Sequence, residues 1–336
     1  MGAPGHMRIR ISALLGLLVV AVFFAGCEED PKPKPSKPAV EIPAFNADSA
    51  YQYVQDQVDF GPRVPNTPEH GACAEYLVSR LERFGAEVIV QEDVVTAYDG
   101  TKLNMKNIIG QYDPSNKRRI LLFAHWDTRP WADKDADVGR QREPILGAND
   151  GGSGVGVLLE VARNLQIIQP DHGIDIIFFD TEDYGTPEFA NTESDFTSWC
   201  LGSQYWMANP HKKGYRAKFG ILLDMVGSKT ASFPKEGSSM HYAYWIVDKI
   251  WDAAKSTGNG SYFRDDVSGM TTDDHVFVNE AGVPSACIVE YHGQVMAMGL
   301  PGYGSFHHTH NDNMDVIDPA ALEAVGETVM KVIYTE

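Results

Sequence analysis

The chain has 336 residues, of which 43% are hydrophobic and 22% are charged. This composition is typical of a globular protein, and the length allows one large hydrophobic core or two modest ones. With 28 basic against 46 acidic residues, the net charge is −18, and no basic stripe is available to displace counterions from a phosphate backbone. The charge balance therefore argues against a nucleic-acid partner.

The N-terminal segment is predicted to lie outside the folded domain. Arg8 and Arg10 precede the apolar run ISALLGLLVVAVFFAG, which has the length of a signal-peptide core with its cleavage region. The sequence FFAGC, ending at Cys27, resembles a bacterial lipobox, in which the cysteine is lipidated and becomes the mature N-terminus. We therefore expect a lipoprotein signal peptide over 1–26 and a lipidated Cys27 with a Pro/Lys-rich tether over 27–44. An uncleaved anchor helix is the alternative.

This leader predicts a location in the bacterial cell envelope, on the periplasmic side, with a lipid anchor in a membrane. The remaining residues, 45–336, are predicted to form a single domain. Cys73, Cys200 and Cys287 are far apart and lack metal-type spacing, and three thiols cannot pair completely within one chain. We interpret all three as core thiols.

Helical and strand patterns alternate along the domain. Two capped amphipathic helices, DSAYQYVQDQVDF and TPEHGACAEYLVSRLERFG, are followed by a β-hairpin around the turn DG. Apolar strands then alternate with helices, which predicts a three-layer α/β/α fold with a central mixed, mainly parallel, twisted sheet. The predicted strands are 119–124, 174–180, 219–225 and 284–290, and the predicted helices are 152–166, 197–208, 239–256 and 319–334.

Polar residues cluster where the predicted strands end. Ligands of open α/β sheets bind outside the carboxyl ends of the strands, so we expect these residues to share one edge of the sheet. They are His125 and Asp127 in HWD, Asp150 in GANDGGSG, Glu182 and Asp183 in DTED, Asp224 in LLDMVG, and His307, His308 and His310 in FHHTHNDN.

Each of these residues also has an ordinary structural explanation. Asp150 is well placed to cap the helix that follows it, and His308 on its own is compatible with a surface histidine. The adjacent carboxylates Glu182 and Asp183 raise each other's pKa unless a cation or a proton separates them. Together the residues supply the oxygen and nitrogen ligands that zinc takes in hydrolytic sites. A metal on Asp183 would leave Glu182 free to act as a base.

The motifs HWD, GANDGGSG, DTED, LLDMVG and FHHTHND, in this order, are similar to those of the zinc aminopeptidase superfamily. The similarity runs from about Phe60 to the end of the chain. Within the superfamily the chain most resembles the animal-type glutaminyl cyclases, which convert N-terminal glutamine of peptides to pyroglutamate and release ammonia. The resemblance implies a catalytic domain of zinc aminopeptidase-like fold that acts on peptide and protein N-termini bearing glutamine. We expect the protein to be a monomer.

The resemblance also assigns roles to individual residues. It implies one Zn²⁺ per chain, held by Asp150, Asp183 and His308, with Asp183 where the family more often has glutamate. Glu182 matches the catalytic glutamate. Asp224 and Asp273 match acids that form a hydrogen-bonded relay beside it, although the sequence TTDDHVF leaves Asp273 and Asp274 as alternatives.

One departure from the family concerns the substrate pocket. Animal cyclases carry a tryptophan where this chain has His307, directly before the predicted zinc ligand. Trp199 lies in an insertion over 184–200, ahead of LGS, and is the candidate for a replacement aromatic wall. Ordinary packing is the alternative interpretation of this side chain.

Two other functions remain open at this point. In a two-zinc aminopeptidase, His125 and Asp224 would bind a second metal bridged through Asp150, roughly 3.5 to 4 Å from the first. Aminopeptidases of this type usually pass from the acid pair directly into a Gly-Leu-x-Gly-Ser turn, so the insertion over 184–200 favours the cyclase. The third possibility is a metal-free binding lipoprotein that has an enzyme fold but no catalytic activity. The complete set of ligands and the presence of Glu182 count against it.

Overall fold

The structure is a computed structural model that describes residues 1–2, 40–190, 196–293 and 302–336. Most of the predicted signal peptide, Cys27 and most of the tether lie outside the described residues. In the described ranges, no helix is long and apolar enough to cross a membrane. Residues Val40–Glu336 form one compact unit.

The regular elements largely follow the predicted alternation. Within the described residues the strands are β1 (Glu87–Thr96), β2 (Lys102–Tyr112), β3 (Arg119–His125), β4 (Gly173–Phe179), β5 (Gly220–Asp224), β6 (Phe233–Lys235), β7 (Phe263–Val267) and β8 (Ser285–Val289). The helices there are α1 (Ala47–Val58), α2 (Pro68–Arg83), α3 (Gly152–Ile167), α4 (Leu201–Ala208), α5 (Gly237–Thr257), α6 (Asp274–Glu280) and α7 (Pro319–Thr335).

The central sheet has six strands in the order β1-β2-β4-β3-β5-β8. Strands β4, β3, β5 and β8 pair in parallel, and β2 pairs antiparallel with both β1 and β4. Every residue of β3, β4, β5 and β8 is buried, as expected for parallel strands that are covered on both faces. The predicted mixed, mainly parallel sheet is confirmed.

Alternating strand residues contribute to two hydrophobic clusters, one on each face of the sheet. Leu122 of β3 belongs to the larger cluster, which also contains residues of α1, α2, α3, α5 and α7. Phe123 belongs to the smaller cluster, together with Trp206 of α4 and Val278 of α6. This gives the three layers of the α/β/α fold.

Local sequence signals explain several element boundaries. The side chain of Asn46 accepts from Ser49 N–H at the start of α1, and that of Thr67 accepts from His70 N–H at the start of α2. The predicted hairpin is also present, with Thr96 opposite Lys102 and Gly100 at φ 87° in the turn.

Three local features differ from the prediction. The predicted helix over 197–208 is a 3₁₀ turn, Phe196–Ser198, followed by α4, because Cys200 adopts a positive φ of 56° and interrupts the helix. The short helix α6 was not predicted. A separate two-stranded parallel sheet of β6 and β7 was also missed, because β6 has three residues and β7 exposes most of its side chains.

Candidate active site

A cavity of about 550 Å³ lies beyond the carboxyl ends of the parallel strands. Its lining includes the predicted metal ligands Asp150, Asp183 and His308 and the predicted catalytic acids Glu182, Asp224 and Asp273, and also Trp199. Residues separated widely along the chain therefore meet at one edge of the sheet, as the strand pattern predicted.

Two buried aspartates hold the loops that carry these residues. The carboxylate of Asp127, just after β3, accepts from the backbone N–H groups of Glu182 at 3.1 Å and Asp183 at 3.2 Å. The carboxylate of Asp312 accepts from the N–H groups of Asn149 and Asp150 at 2.7 and 3.0 Å. Each carboxylate thus fixes the backbone of a site residue by paired hydrogen bonds.

The three predicted metal ligands converge around His308. Its Nε2 lies 3.7 Å from Oδ2 of Asp150 and 3.4 Å from Oδ1 of Asp183. Both aspartates are buried, and in the described part of the chain Oδ2 of each lacks a hydrogen-bond donor. Burial raises the pKa of Asp183 well above its usual value, and the charge of Asp150 adds to this effect. One histidine nitrogen and two carboxylates with such unsatisfied oxygens are ligand types that zinc takes. The group here whose ligand atoms all lie within 4.8 Å of one another is Asp150, His307 and His308.

An arginine and an aspartate that were not predicted support these ligands. Nη1 of Arg129 donates to the carbonyl oxygen of Asp183 at 3.1 Å and to its Oδ1 at 3.3 Å. The same guanidinium forms a two-point pair with Asp133, at 2.8 and 2.6 Å. Oδ1 of Asp133 lies 3.5 Å from Nδ1 of His308. Such outer contacts orient the ligands of a metal and tune its affinity.

The groups proposed for a second metal are also together. Nε2 of His125 lies 3.2 Å from Oδ1 of Asp150 and 3.3 Å from Oδ1 of Asp224. One ligand atom from each of these residues lies within 4.8 Å of the other two. The arrangement is therefore compatible with one metal and an acid relay, and equally with two metals bridged by Asp150.

The predicted catalytic acids form a crowded group beside the predicted metal ligands. Burial raises the pKa of Glu182 well above its usual value, and the charges of Asp273 and Asp183 add to this effect. Burial also raises the pKa of Asp224 to about 6 and, with the charge of Asp224, that of Asp273 to about 7. Carboxylates this close share protons and titrate as a group.

The ambiguity between Asp273 and Asp274 has a structural answer. Asp273 precedes α6 and lines the cavity, whereas Asp274 is fully buried at the start of that helix. A carboxylate oxygen of Glu182, the Sγ of Cys200 and a carboxylate oxygen of Asp273 lie within 4.8 Å of one another. It is therefore Asp273 that stands at the cavity beside Glu182.

Trp199 forms part of the cavity wall. Its ring is nearly parallel to that of His308, with an interplanar angle of 7° and a centroid distance of 5.9 Å. The guanidinium of Arg129 lies over the Trp199 ring at 4.6 Å, which is a cation–π arrangement. The insertion therefore returns with an aromatic ring directly beside a predicted zinc ligand.

The other histidines of the last loop have different surroundings. Nδ1 of His307 is 2.9 Å from Nζ of Lys134, and its ring centroid is 3.7 Å from that of His308. His307 also lines the cavity. His310 instead pairs with Asp135 through Nδ1 at 2.8 Å, and it does not line the cavity.

The three cysteines in the described residues, Cys73, Cys200 and Cys287, are free and buried, as predicted, but two of them also contact site acids. Cys73 lies in the larger hydrophobic cluster. Cys200 donates to Oε1 of Glu182 at 3.0 Å, and Cys287 donates to Oδ2 of Asp273 at 3.7 Å. Packing alone is therefore an incomplete description of these two thiols.

The sequence pattern that defines Peptidase family M28 matches residues 107–333, the part of the chain that carries the predicted metal ligands and catalytic acids. The chain belongs to peptidase family M28. Three solved structures of comparable size are similar to this M28 chain. A glutaminyl cyclase from Bacteroides thetaiotaomicron, bound to N-acetylhistamine, is 55% identical, with a TM-score of 0.85 over 88% of this chain and 100% of that one.

A leucine aminopeptidase precursor from the same species is also 55% identical, with a TM-score of 0.85 over 89% of this chain and 100% of that one. A Zn-dependent exopeptidase from Parabacteroides distasonis is 54% identical, with a TM-score of 0.85 over 88% of this chain and 100% of that one. The chain is thus an M28 enzyme of zinc aminopeptidase-like fold, and its similarity to a Zn-dependent exopeptidase implies zinc. The names of its relatives divide between cyclase and aminopeptidase.

Proposed function

We propose that this chain is a glutaminyl-peptide cyclotransferase that uses one zinc ion. The reaction converts N-terminal glutamine of peptides and proteins to pyroglutamate and releases ammonia. The observation that carries the proposal is the insertion that brings Trp199 alongside His308. This ring lines the cavity next to the predicted metal ligands, where it would pack against a substrate side chain such as that of glutamine. The similarity to a bacterial glutaminyl cyclase supports the same assignment.

The metal ligands and the acids would divide the chemistry between them. Zinc held by Asp150, Asp183 and His308 would act as a Lewis acid on the γ-carbonyl of the glutamine side chain. Glu182 would take a proton from the α-amine as this nitrogen attacks the carbonyl, and would then donate it to the departing ammonia. The raised pKa of Glu182 suits both steps, because the group must accept and release a proton near neutral pH.

The remaining acids would support this proton transfer. Asp224 and Asp273 also have raised pKa values, of about 6 and about 7, so protons are readily shared within the group. In this assignment His125 holds Asp150 and Asp224 in place through Nε2. Asp224 then serves the relay and does not bind a metal.

A two-zinc aminopeptidase is the second candidate. It is favoured by the cluster of His125, Asp150 and Asp224, whose donor atoms have metal-ligand spacing, and by the similarity to a leucine aminopeptidase precursor. Glu182 would then deprotonate the hydrolytic water instead of an amine.

The location is part of the same proposal. We place the enzyme on the periplasmic side of a bacterial membrane, as a monomer anchored through lipidated Cys27. The lipobox-like FFAGC and the Pro/Lys-rich tether after it support this placement. The substrates would then be the N-termini of peptides and proteins in the cell envelope.

Zinc titration of the metal-stripped protein separates the two candidates. For the cyclase we expect conversion of a glutamine-initiated peptide to reach its maximum at one equivalent of zinc. A requirement for two equivalents, together with release of leucine from a leucine-initiated peptide, would replace the cyclase with the aminopeptidase.

A further inference from the structure

Cys200 is bound to Glu182 through both its backbone and its side chain. The N–H of Cys200 donates to the carbonyl oxygen of Glu182 at 2.9 Å, and the N–H of Leu201 donates to that of Thr181 at 3.1 Å. The Cys200 thiol donates to Oε1 of Glu182 at 3.0 Å. The insertion that follows Glu182 therefore returns at its far end, Cys200, to the same residue.

The backbone conformation of Cys200 fixes the direction of its thiol. Its φ of 56° is in the left-handed region, which glycine adopts at low cost and other residues rarely occupy. The residue is fully buried at the start of α4, so the thiol has little freedom to turn elsewhere. A glycine would relieve this conformation but would also remove the contact with Glu182.

We propose that Cys200 is a positioning residue for Glu182, whose Oε1 it holds by a hydrogen bond so that Oε2 faces the substrate. This inference rests on the proposed function only in taking Glu182 as the proton-transferring group. Glu182 is partly exposed at the cavity, where a glutamate side chain without a partner has several rotamers available. A thiol is a weak hydrogen-bond donor, so it orients the carboxylate while leaving it able to accept a proton.

Cys73 provides the comparison that separates positioning from packing. It is also a fully buried free thiol, but it lies on α2 in the larger hydrophobic cluster. It neither lines the cavity nor contacts Glu182, Asp224 or Asp273. Removing either sulfur leaves a cavity of similar size. A pure packing role predicts the same result for both cysteines, namely a lower melting temperature with an unchanged kcat.

The first experiment measures kcat and KM for a glutamine-initiated peptide. Because misplacement of a reacting group costs up to about 100-fold in rate, we expect Cys200→Ala to lower kcat by about 10- to 100-fold with little change in KM or zinc content. Cys200→Ser keeps a donor at this position and should restore kcat to within about threefold of the wild type. Cys73→Ala should retain the wild-type kcat. If the alanine variant does not fold, Cys200→Gly is measured instead, because glycine adopts a positive φ at low cost.

The second experiment is a double-mutant cycle with Glu182→Ala. If the thiol acts through Glu182, Cys200→Ala causes no further loss in that background. An equal loss in both backgrounds, or a wild-type kcat for both Cys200→Ala and Cys200→Gly, would overturn the positioning role and leave the proposed function intact. Full activity of Glu182→Ala would instead overturn the role of Glu182, and the positioning role with it.

Discussion

The guanidinium of Arg129 donates to Oδ1 of Asp183 at 3.3 Å, the same oxygen that lies 3.4 Å from Nε2 of His308. Because it also donates to the carbonyl oxygen of Asp183 and pairs with Asp133, Arg129 fixes the direction of a predicted zinc ligand. The buried positive charge of Arg129, which is 1% exposed, thus has a definite structural role beside the predicted zinc ligands.

Arg129→Lys is expected to weaken zinc binding. Lysine keeps the charge but cannot reproduce the two-point pair with Asp133 and the contacts with Asp183 at the same time. Changes in the outer shell of a metal site typically cost about 10- to 100-fold in affinity. Competition with a chromogenic chelator measures the affinity, and Arg140→Lys, at an exposed ion pair with Glu143, is the matched control. Equal affinities for Arg129→Lys and the wild type would contradict the role.

Glu182→Gln is expected to abolish turnover while leaving zinc content and melting temperature nearly unchanged. The amide cannot accept the proton of the α-amine, and loss of general-base catalysis costs about 10² to 10⁴-fold in rate. Steady-state kinetics and elemental analysis of the same preparation test both parts of the prediction. Glu143→Gln, an exposed site in the described structure, is the control. An active Glu182→Gln enzyme would remove Glu182 from the mechanism.

Asp273→Asn is expected to change how the stability of the metal-free protein depends on pH. Burial and the charge of Asp224 raise the pKa of Asp273 to about 7, so the folded state binds a proton that the unfolded state has lost. The stability that this proton on Asp273 contributes to the folded state is complete below the unfolded pKa of about 3.9. It is lost as the pH rises through about 7.

The variant should therefore melt at a higher temperature than the wild type at about pH 8, where the wild type must hold a charged Asp273 in the crowded acid group. Below about pH 4 this advantage should disappear. Calorimetry of the metal-free proteins across this range is the measurement. Parallel curves for the two proteins at all pH values would show that the Asp273 carboxyl is not perturbed.

Trp199→Ala is expected to weaken substrate recognition more than it weakens folding. The ring is partly exposed at the cavity but stacks on His308, so its loss opens the wall beside the metal ligands. Aromatic contacts contribute about 0.5–1.5 kcal/mol beyond their buried area, which predicts a fall in kcat/KM of about two- to tenfold. Trp245→Ala on α5, where the ring is also partly exposed, is the control, and it should leave kcat/KM unchanged. An unchanged kcat/KM for Trp199→Ala would show that Trp199 contributes only to packing.

Cys27→Ser is expected to release the protein from the membrane or to leave the signal segment attached. The reason is that a lipobox cysteine supplies the sulfur that carries the lipid. Fractionation of cells and the mass of the mature protein measure the two outcomes, with Cys73→Ser as the control thiol. Membrane association and mature mass that both match the wild type would contradict the lipoprotein proposal.

The sequence predicted the sheet and the convergence of the site because both depend on repeated local patterns. Buried apolar runs identify β3, β4, β5 and β8, and in parallel strands the residues that follow them must meet at one edge. Asp150, Glu182 and His308 could therefore be placed together without knowledge of any side-chain conformation.

The contacts that tune the site were not predictable in this way. Arg129 and Asp133 stand in the stretch HWDTRPWAD, but their pairing with each other and with Asp183 depends on a loop whose path has no periodic pattern. Cys200 was interpreted as a core thiol, because burial can be inferred from residue type whereas a hydrogen bond to Glu182 requires the positive φ of the insertion's last residue.

The central claim is tested most directly by mass spectrometry of a glutamine-initiated peptide after incubation with the zinc-loaded protein. The cyclase predicts a product that has lost one ammonia and kept every residue, and no reaction with the same peptide initiated by leucine. Free glutamine or leucine, with each peptide shortened by one residue, would contradict the cyclase and identify an aminopeptidase.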